Sequence, residues 1–384
     1  MGDMHFDALV VGGGPAGATT AYQLSRSGVR TLLLEKERLP RYKTCGGGIT
    51  VKCARLLDFD ISPVVEQTIY GVQVTSRLSP RVTWRSDEPI CYMVMRSNFD
   101  HLLVRKAQEA GACVMEGVVV KTVVVGDEGV IATTRDGRQF RGKVVVGADG
   151  ANGVVARELG LMRNVPVGIG LESEVRVTEK DLDSWHELVL LDMGMLKHGY
   201  GWIFPKGDHL SIGVGGPSDH ATLVKGYSAQ FTDYCRGILG EYDVVHCQGH
   251  RLPVRPAGWP IHAKRGLLVG DAAGMVNPLD GEGIYYAIRS GQIAASAILD
   301  ALSGNAPLDF SAYQQAVDAQ LTVELRRSAQ LLKIYGYAPT LFSWLIGRSK
   351  GLRAAIFDLL RGEMRYNDIP ARLGPLGWLL GRVP

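Results

Sequence analysis

The chain has 384 residues, enough for one large or two ordinary domains, and its 46% hydrophobic and 21% charged content is that of an ordinary globular chain with a sizeable core. A net charge of +3, unpatterned through the first 330 residues, excludes a nucleic-acid binder. No apolar stretch reaches the roughly eighteen residues of a membrane span, and six cysteines (Cys45, Cys53, Cys91, Cys113, Cys235, Cys247) without CxxC or metal-ligand spacing argue against zinc and disulfides and for reduced thiols in an intracellular chain.

In chain order, the apolar run Ala8 to Val11 enters Gly12-Gly13-Gly14-Pro15-Ala16-Gly17, and a helical pattern begins near Ala18. Gly12 permits a tight turn out of the strand, Gly14 lets backbone approach a pyrophosphate, and Gly17 lets the helix pack closely on the sheet. The helix start then aims free N–H groups and its positive dipole end at phosphates. A second strand, Arg30 to Leu34, ends in Glu35-Lys36, and Glu35 stands where a ribose-binding carboxylate belongs. Strand, glycine turn, helix, strand and acid in that order predict a dinucleotide site.

A glycine-rich loop, Pro40 to Gly48, follows. Strand-like text occupies about 70 to 95, then a helix with apolar positions Leu102, Leu103, Val104 and Ala107 runs to Gly111. Strands are predicted over Val114 to Val125 and Gly129 to Thr134, turning at Gly126-Asp127, and over Lys143 to Val146, which ends in Gly147-Ala148-Asp149-Gly150. The text from Ile169 to about Arg255 reads as strand-rich. A strand from Gly266 to Val269 then enters Gly270-Asp271-Ala272-Ala273-Gly274, a long helix spans about Gly283 to Leu302, and the last eighty residues read as mainly helical.

This order predicts an α/β chain in which a Rossmann-type domain (1–70, 96–165 and 255–305) is interrupted by a β-rich substrate domain (71–95 and 166–254), with a helical C-terminal region (306–384). Asp149 and Asp271 both follow short apolar strands, so both carboxylates emerge at strand C-termini, where open α/β sheets bind ligands. Each motif alone is also an ordinary turn.

Together with the first glycine turn, these two motifs resemble the fingerprint set of the large FAD-dependent family that includes aromatic hydroxylases, flavin halogenases and geranylgeranyl reductases. The resemblance implies FAD as the one tightly held cofactor, with Asp271 on its ribityl or pyrophosphate part and Asp149 buttressing cofactor and domain crossing. It also implies Arg96, in MRSNFD, against the cofactor, and a backbone contact from Val120 toward the adenine. Two further motifs narrow the branch. Pro40-Arg41-Tyr42-Lys43-Thr44-Cys45-Gly46-Gly47-Gly48, and Tyr200-Gly201-Trp202-Ile203-Phe204-Pro205 followed after seven residues by Gly213-Val214-Gly215, are similar to the PxxxxCGGG and YxWxFPx(7)GxG signatures of the geranylgeranyl reductases, over about residues 6 to 300.

Membership of that branch implies saturation of C=C bonds in a polyprenyl lipid, quinone or chlorophyll precursor by hydride from reduced flavin plus a proton. The electron donor would be external, NAD(P)H or reduced ferredoxin. Cys45, Gly46, Gly47 and Gly48 are expected at the isoalloxazine edge, with Cys45 the one functional thiol. An ordinary thiol is a weak acid at neutral pH, so positioning water, shaping the pocket or sensing flavin redox state are the tasks open to it. Tyr200, Trp202 and Phe204 alternate on a strand and so share a face, an apolar surface for the prenyl chain; filling core is the bland alternative. Gly213 and Gly215 belong to the same expected substrate surface. In Asn277-Pro278-Leu279-Asp280-Gly281-Glu282-Gly283-Ile284, the residues Gly281, Gly283 and Ile284 are expected at the flavin pyrimidine edge, with the helix start stabilising charge on the ring.

Gly274 stands where hydroxylase relatives carry a bulkier residue, and halogenases carry WxWxIP in place of YGWIFP. An oxygen-dependent monooxygenase or halogenase on an aromatic substrate is the alternative. An electron-transfer quinone oxidoreductase would need C-terminal iron–sulfur cysteines, and no cysteine follows Cys247. A non-enzymatic flavin redox sensor or assembly factor would leave Cys45 and the aromatic face dispensable. From Leu331 to Pro384, eight Lys or Arg face three acids, a local +5 that leaves the rest of the chain at −2. With Leu341, Phe342, Trp344, Leu345, Ile346, Ile356, Phe357, Leu359, Leu360 and the cluster from Leu376 to Leu380, this basic amphipathic text suits either a membrane interface or a cap over the substrate surface. The expected setting is the cytoplasm, peripheral to the inner face of the membrane.

Overall fold

The computed structural model describes residues 5–304, 308–337 and 346–369. Its first unit is β1 (His5–Val11), α1 (Pro15–Arg26) and β2 (Thr31–Leu34), after which the glycine loop leads into β3 (Gly48–Thr50) and α2 (Val51–Ala54). Next come β4 (Val65–Ile69), β5 (Gly71–Ser76), β6 (Val82–Arg85), β7 (Cys91–Val94), α3 (Arg96–Glu109), β8 (Cys113–Met115), β9 (Val120–Val125), β10 (Val130–Thr134), β11 (Gln139–Gly147) and α4 (Val154–Glu158). The middle of the chain forms β12 (Val167–Arg176), α5 (Glu179–Asp183), β13 (Leu188–Met193), β14 (Tyr200–Pro205), β15 (Leu210–Pro217), α6 (Ala221–Leu239) and β16 (Asp243–Pro253). The remainder is β17 (His262–Ala263), β18 (Gly266–Leu268), α7 (Ile284–Ser303), α8 (Ser311–Val317), α9 (Val323–Tyr337) and α10 (Lys350–Arg361).

Strands β18, β11, β1, β2 and β8 run parallel and side by side. The stretches 8–11, 32–34, 144–146 and 267–268 are apolar and buried, as expected of strands covered on both faces, while β8 at the edge is only part-buried. Helix α7 crosses α1 closely enough that a Cβ on Gly291 would press on the Ala16 carbonyl, and Thr20 donates from α1 to Gly291 O at 3.3 Å. A seven-stranded sheet of order β16-β12-β15-β14-β13-β5-β6 forms the second layer, and β3, β7 and β4 make a small antiparallel sheet. The segment 71–95 therefore divides: β5 and β6 join the large sheet while β7 pairs with β3 and β4.

Two sequence readings need correction. The stretch from Ile169 to Arg255 contains the nineteen-residue helix α6, which buries Val224, Tyr227, Phe231, Cys235 and Leu239, spaced three or four residues apart. That period is helical, and the strands around it masked it. The single strand expected over Val114 to Val125 is two, because Gly117 takes a positive φ and the chain leaves the parallel sheet after β8 to start the β9–β10 hairpin.

Candidate active site

Because β18, β11, β1 and β2 are parallel neighbours, the segments that follow them emerge along one edge. Asp271 follows β18, Asp149 follows β11, the Gly12–Gly17 turn follows β1 and Glu35 follows β2. This edge includes the point where the chain switches direction across the sheet, the place where such sheets bind nucleotides.

Helix α1 starts at Gly14 with Pro15 in its first turn, no side-chain cap and no acid in that turn. Gly14 itself faces space, the nearest atom to a Cβ there being Arg41 Nη2 at 3.9 Å, whereas a Cβ on Gly12 or Gly17 would overlap backbone oxygen. Glu35 is buried, its Oε2 accepting the Gly13 N–H at 2.6 Å and its Oε1 the Glu37 N–H at 3.0 Å. Lys36 beside it is exposed. Val120 lies two residues beyond Val118, whose N–H donates to the Glu35 carbonyl at 2.9 Å. Asp149 Oδ2 accepts the Val155 N–H at 3.0 Å, and burial raises its pKa. Burial would also raise Asp271, but His250 at 3.4 Å, Lys43 and Arg96 together hold that carboxyl below its usual range. An uncapped helix start above an open glycine, between a ribose-type carboxylate and a cation-flanked Asp271, fits a dinucleotide such as FAD.

The Cys45 loop joins this edge to the large sheet. A Cβ on Gly46 would lie 2.7 Å from the Phe204 ring, so the loop rests directly on the aromatic row. Gly47 has φ +72°, and a side chain there would strike Val94 O and the Lys206 ammonium. Lys206 is 1% exposed and spans the junction, donating to Gly46 O at 2.5 Å and Val94 O at 3.0 Å. Burial lowers its pKa, opposed by Glu174 and Glu172. Cys45 Sγ accepts the Gly47 N–H at 3.4 Å, and the Arg96 guanidinium reaches the same thiol while pairing both oxygens of Asp100 at 2.8 and 2.9 Å.

Tyr200, Trp202 and Phe204 form one row, with ring centroids 5.9 and 6.3 Å apart. Gly201, between them, points to the other face, against Tyr227 and Phe231 of α6. The motif spacing has a physical cause in the β14–β15 hairpin, whose register sets Trp202 opposite Gly213 and Tyr200 opposite Gly215. A Cβ on Gly213 would overlap the indole, so this glycine makes room for Trp202 to lie on β15, whereas a Cβ on Gly215 would stand 3.8 Å from the ring, an ordinary contact. Its Nε1–H donates to Ser211 Oγ at 3.2 Å and Ser211 donates to Glu172 Oε1 at 2.7 Å, which locks the ring.

On the 277–284 loop, Gly281 takes φ +70° and Gly283 lies 3.6 Å, measured from a Cβ position, from Asp271 Oδ1, directly before Ile284 at the start of α7. Tyr200 donates to Asp280 O at 2.5 Å, tying the aromatic row to this loop. Gly274 has φ +64°, and a Cβ there would lie 2.8 Å from Arg255 N, so its small size has a local backbone cause independent of reaction type.

Lys206, Glu172 with Ser211, His250 and the 280–282 acids were not singled out as site residues from sequence. Glu172 and Glu174 were detectable as charges two apart on one strand, and so on one face, and Lys206 as a charge directly after the aromatic motif. In the C-terminal region Phe357 is buried in an apolar cluster with Val72, Met93 and Val189, against which Leu360, Phe204 and Leu191 each pack, while Leu359 packs against the cluster of Leu331 and Tyr366. Leu341, Phe342, Trp344, Leu345 and Leu376 to Leu380 lie outside the described residues. Among the described residues no helix is long and apolar enough to cross a membrane.

Known proteins resemble this chain in sequence and in fold. The FAD binding domain family matches residues 5–191. The chain is 33% identical over 322 residues to the geranylgeranyl diphosphate reductase of Rhodobacter capsulatus, covering 80% of this chain and 78% of that one. It is 30% identical over 332 residues to the digeranylgeranylglycerophospholipid reductase of Methanocaldococcus jannaschii, covering 78% of each. A geranylgeranyl bacteriochlorophyll reductase-like structure from Thermoplasma acidophilum superposes with TM-score 0.78 at 24% identity, covering 87% and 88% of the two chains. The flavin-dependent brominase Bmp2, at TM-score 0.76 and 23% identity over 94% of each chain, shares the fold. The chain belongs to the geranylgeranyl reductase family of FAD-dependent oxidoreductases.

Proposed function

We propose that this chain saturates C=C bonds of a geranylgeranyl or other polyprenyl group carried by a lipid, a quinone or a chlorophyll precursor. The observation that carries the reading is the contact between the Cys45 loop and the aromatic row, with Gly46 backbone resting on Phe204. Bound FAD in its reduced state supplies the hydride. The protein's own part is to hold an apolar chain against Tyr200, Trp202 and Phe204, to keep side chains off the loop at Gly46 and Gly47, and to exclude water. Phe357 of α10 belongs to the apolar cluster against which Phe204 packs, at one end of that surface. Relatives bearing geranylgeranyl diphosphate and digeranylgeranylglycerophospholipid reductase names support the substrate class.

The electrons come from an external donor, NAD(P)H or reduced ferredoxin, and the basic C-terminal region rests on the cytoplasmic face of the membrane where such substrates reside. Anaerobically reduced protein is expected to be reoxidised by a geranylgeranyl lipid or menaquinone, with saturated product in the mass spectrum. No product across a panel of prenyl compounds would overturn the assignment. Cys45→Ala and Trp202→Ala are expected to keep FAD and lose that turnover; full turnover in both would favour a redox-sensing role instead.

A further inference from the structure

Buried charge gathers in two places beside the site. On the 277–284 loop, Lys52 from α2 pairs with Glu282 Oε2 at 2.6 Å and its charge also acts on Asp280, which burial and then Glu282 push up to about 6. The Asp280 carboxyl oxygens are taken by the Glu282 N–H and the Tyr366 hydroxyl, both at 2.9 Å, so this group fastens the C-terminal segment to the loop. The second cluster differs, because it runs from the helix start at Gly14 to the Cys45 thiol.

Asp100 is at its centre. It lies on α3, one turn beyond Arg96, and is fully buried. Its Oδ1 accepts from Arg96 Nε at 2.8 Å, whereas its Oδ2 meets two guanidiniums, Arg96 Nη2 at 2.9 Å and Arg41 Nη1 at 3.0 Å. Arg96 goes on to reach Cys45. Arg41 goes on to the dinucleotide edge, with Nε 3.7 Å from Glu35 Oε1 and Nη2 3.9 Å from a Cβ position on Gly14. Arg41 and Cys45 belong to one loop, four residues apart. A single carboxylate on a helix packed against α1 therefore holds that loop at two points, once directly and once through Arg96.

Two features of Arg41 suit an anion. Its Nη1 is buried and makes no hydrogen bond, although Asp100 Oδ2 is near enough for charge attraction. Its Nη2 faces the open space at Gly14, where the uncapped N–H groups of α1 also begin. A diphosphate there engages Arg41 by charge-assisted hydrogen bonds and relieves the competition of two guanidiniums for one oxygen. Asp100 Oδ2 is then left to Arg96, which is held more firmly, and with it the thiol.

We propose that Asp100 is a positioning residue that couples binding of a dinucleotide diphosphate at Arg41 to the seating of Cys45. The coupling needs no prenyl substrate and is independent of the polyprenyl reading.

ADP tests it, because ADP carries the diphosphate without a flavin ring that could shield the thiol directly. In flavin-stripped full-length protein, saturating ADP is expected to slow iodoacetamide alkylation of Cys45 on the order of 5-fold or more. The exposed Cys113 and Cys247 should react at unchanged rates in the same mass spectra. In Asp100→Asn, ADP is expected to bind by calorimetry while the slowing at Cys45 is largely lost, and Asp100→Glu should recover part of it. Arg96→Lys keeps the cation without the paired N–H fork and should lose the slowing too. Equal slowing in the wild type and Asp100→Asn, no slowing of the wild type by saturating ADP, or a parallel change at Cys113 and Cys247 would overturn the assignment. If Asp100→Asn does not fold, Arg96→Lys decides, and slowing retained there overturns it. Failure to reduce any prenyl compound would leave these rates, and the coupling, untouched.

Discussion

At the residue scale, the site is organised by side chains that hold backbone. Lys206 ties the Cys45 loop to β7 through the Gly46 and Val94 carbonyls, and Glu172 fixes Trp202 through Ser211. A Gly213→Ala substitution puts a methyl group into the indole and should destabilise the protein by about 1–3 kcal/mol, read by urea unfolding, with a shifted tryptophan emission spectrum. Asp280 adds a pH dependence whose sign follows from its raised pKa. With 3.8 as the unfolded value and about 6 in the folded protein, its contribution to stability is complete below pH 3.8 and is lost as pH rises through about 6. Asp280→Asn should therefore gain on the wild type between pH 4 and pH 7, on the order of 2–3 kcal/mol, measured as the difference in thermal unfolding across that range. Asp271 has the opposite sign, its contribution being lost only as pH falls below the ordinary carboxylate range.

At the element scale, the C-terminal helices are packed onto the site. Helix α10 buries Phe357 against the sheet that carries Phe204, and its Arg361 donates to Ser86 Oγ at 3.0 Å. Beyond it, the Tyr366 hydroxyl reaches Asp280 and accepts from Asn277 Nδ2 at 3.1 Å. Phe357→Ala should loosen this attachment by about 3 kcal/mol. Hydrogen exchange is then expected to quicken in α10 and around Tyr366 while β1 and β2 keep their protection. The apolar positions of α10 were legible in the sequence, but which surface they cover was not, because an amphipathic helix presents the same stripe to a membrane or to a sheet. Helix α6 was legible too, by its three-and-four spacing at Val224, Tyr227, Phe231, Cys235 and Leu239, and was hidden only by the strands on either side.

At the scale of the whole molecule, the parallel order β18-β11-β1-β2 gathers segments separated by more than two hundred residues onto one edge. At Gly14, unlike Gly12 and Gly17, a side chain would enter open space on that edge without striking the protein's own backbone. Gly14→Val should yield protein that purifies without flavin colour yet keeps its circular dichroism spectrum; retention of full FAD absorbance would show that the pyrophosphate does not pass there. The glycine turn, the acids after each strand and the alternating aromatics were readable in the sequence because each depends on local geometry: a turn, a strand end, or a period of two. The pairing of Trp202 with Gly213, the burial of Lys206 beneath the Cys45 loop and the sharing of Lys52 by Asp280 and Glu282 were decided only by the tertiary structure. Each depends on the distance between groups far apart in the chain, and burial, hydrogen bonding and proton affinity all follow from that distance.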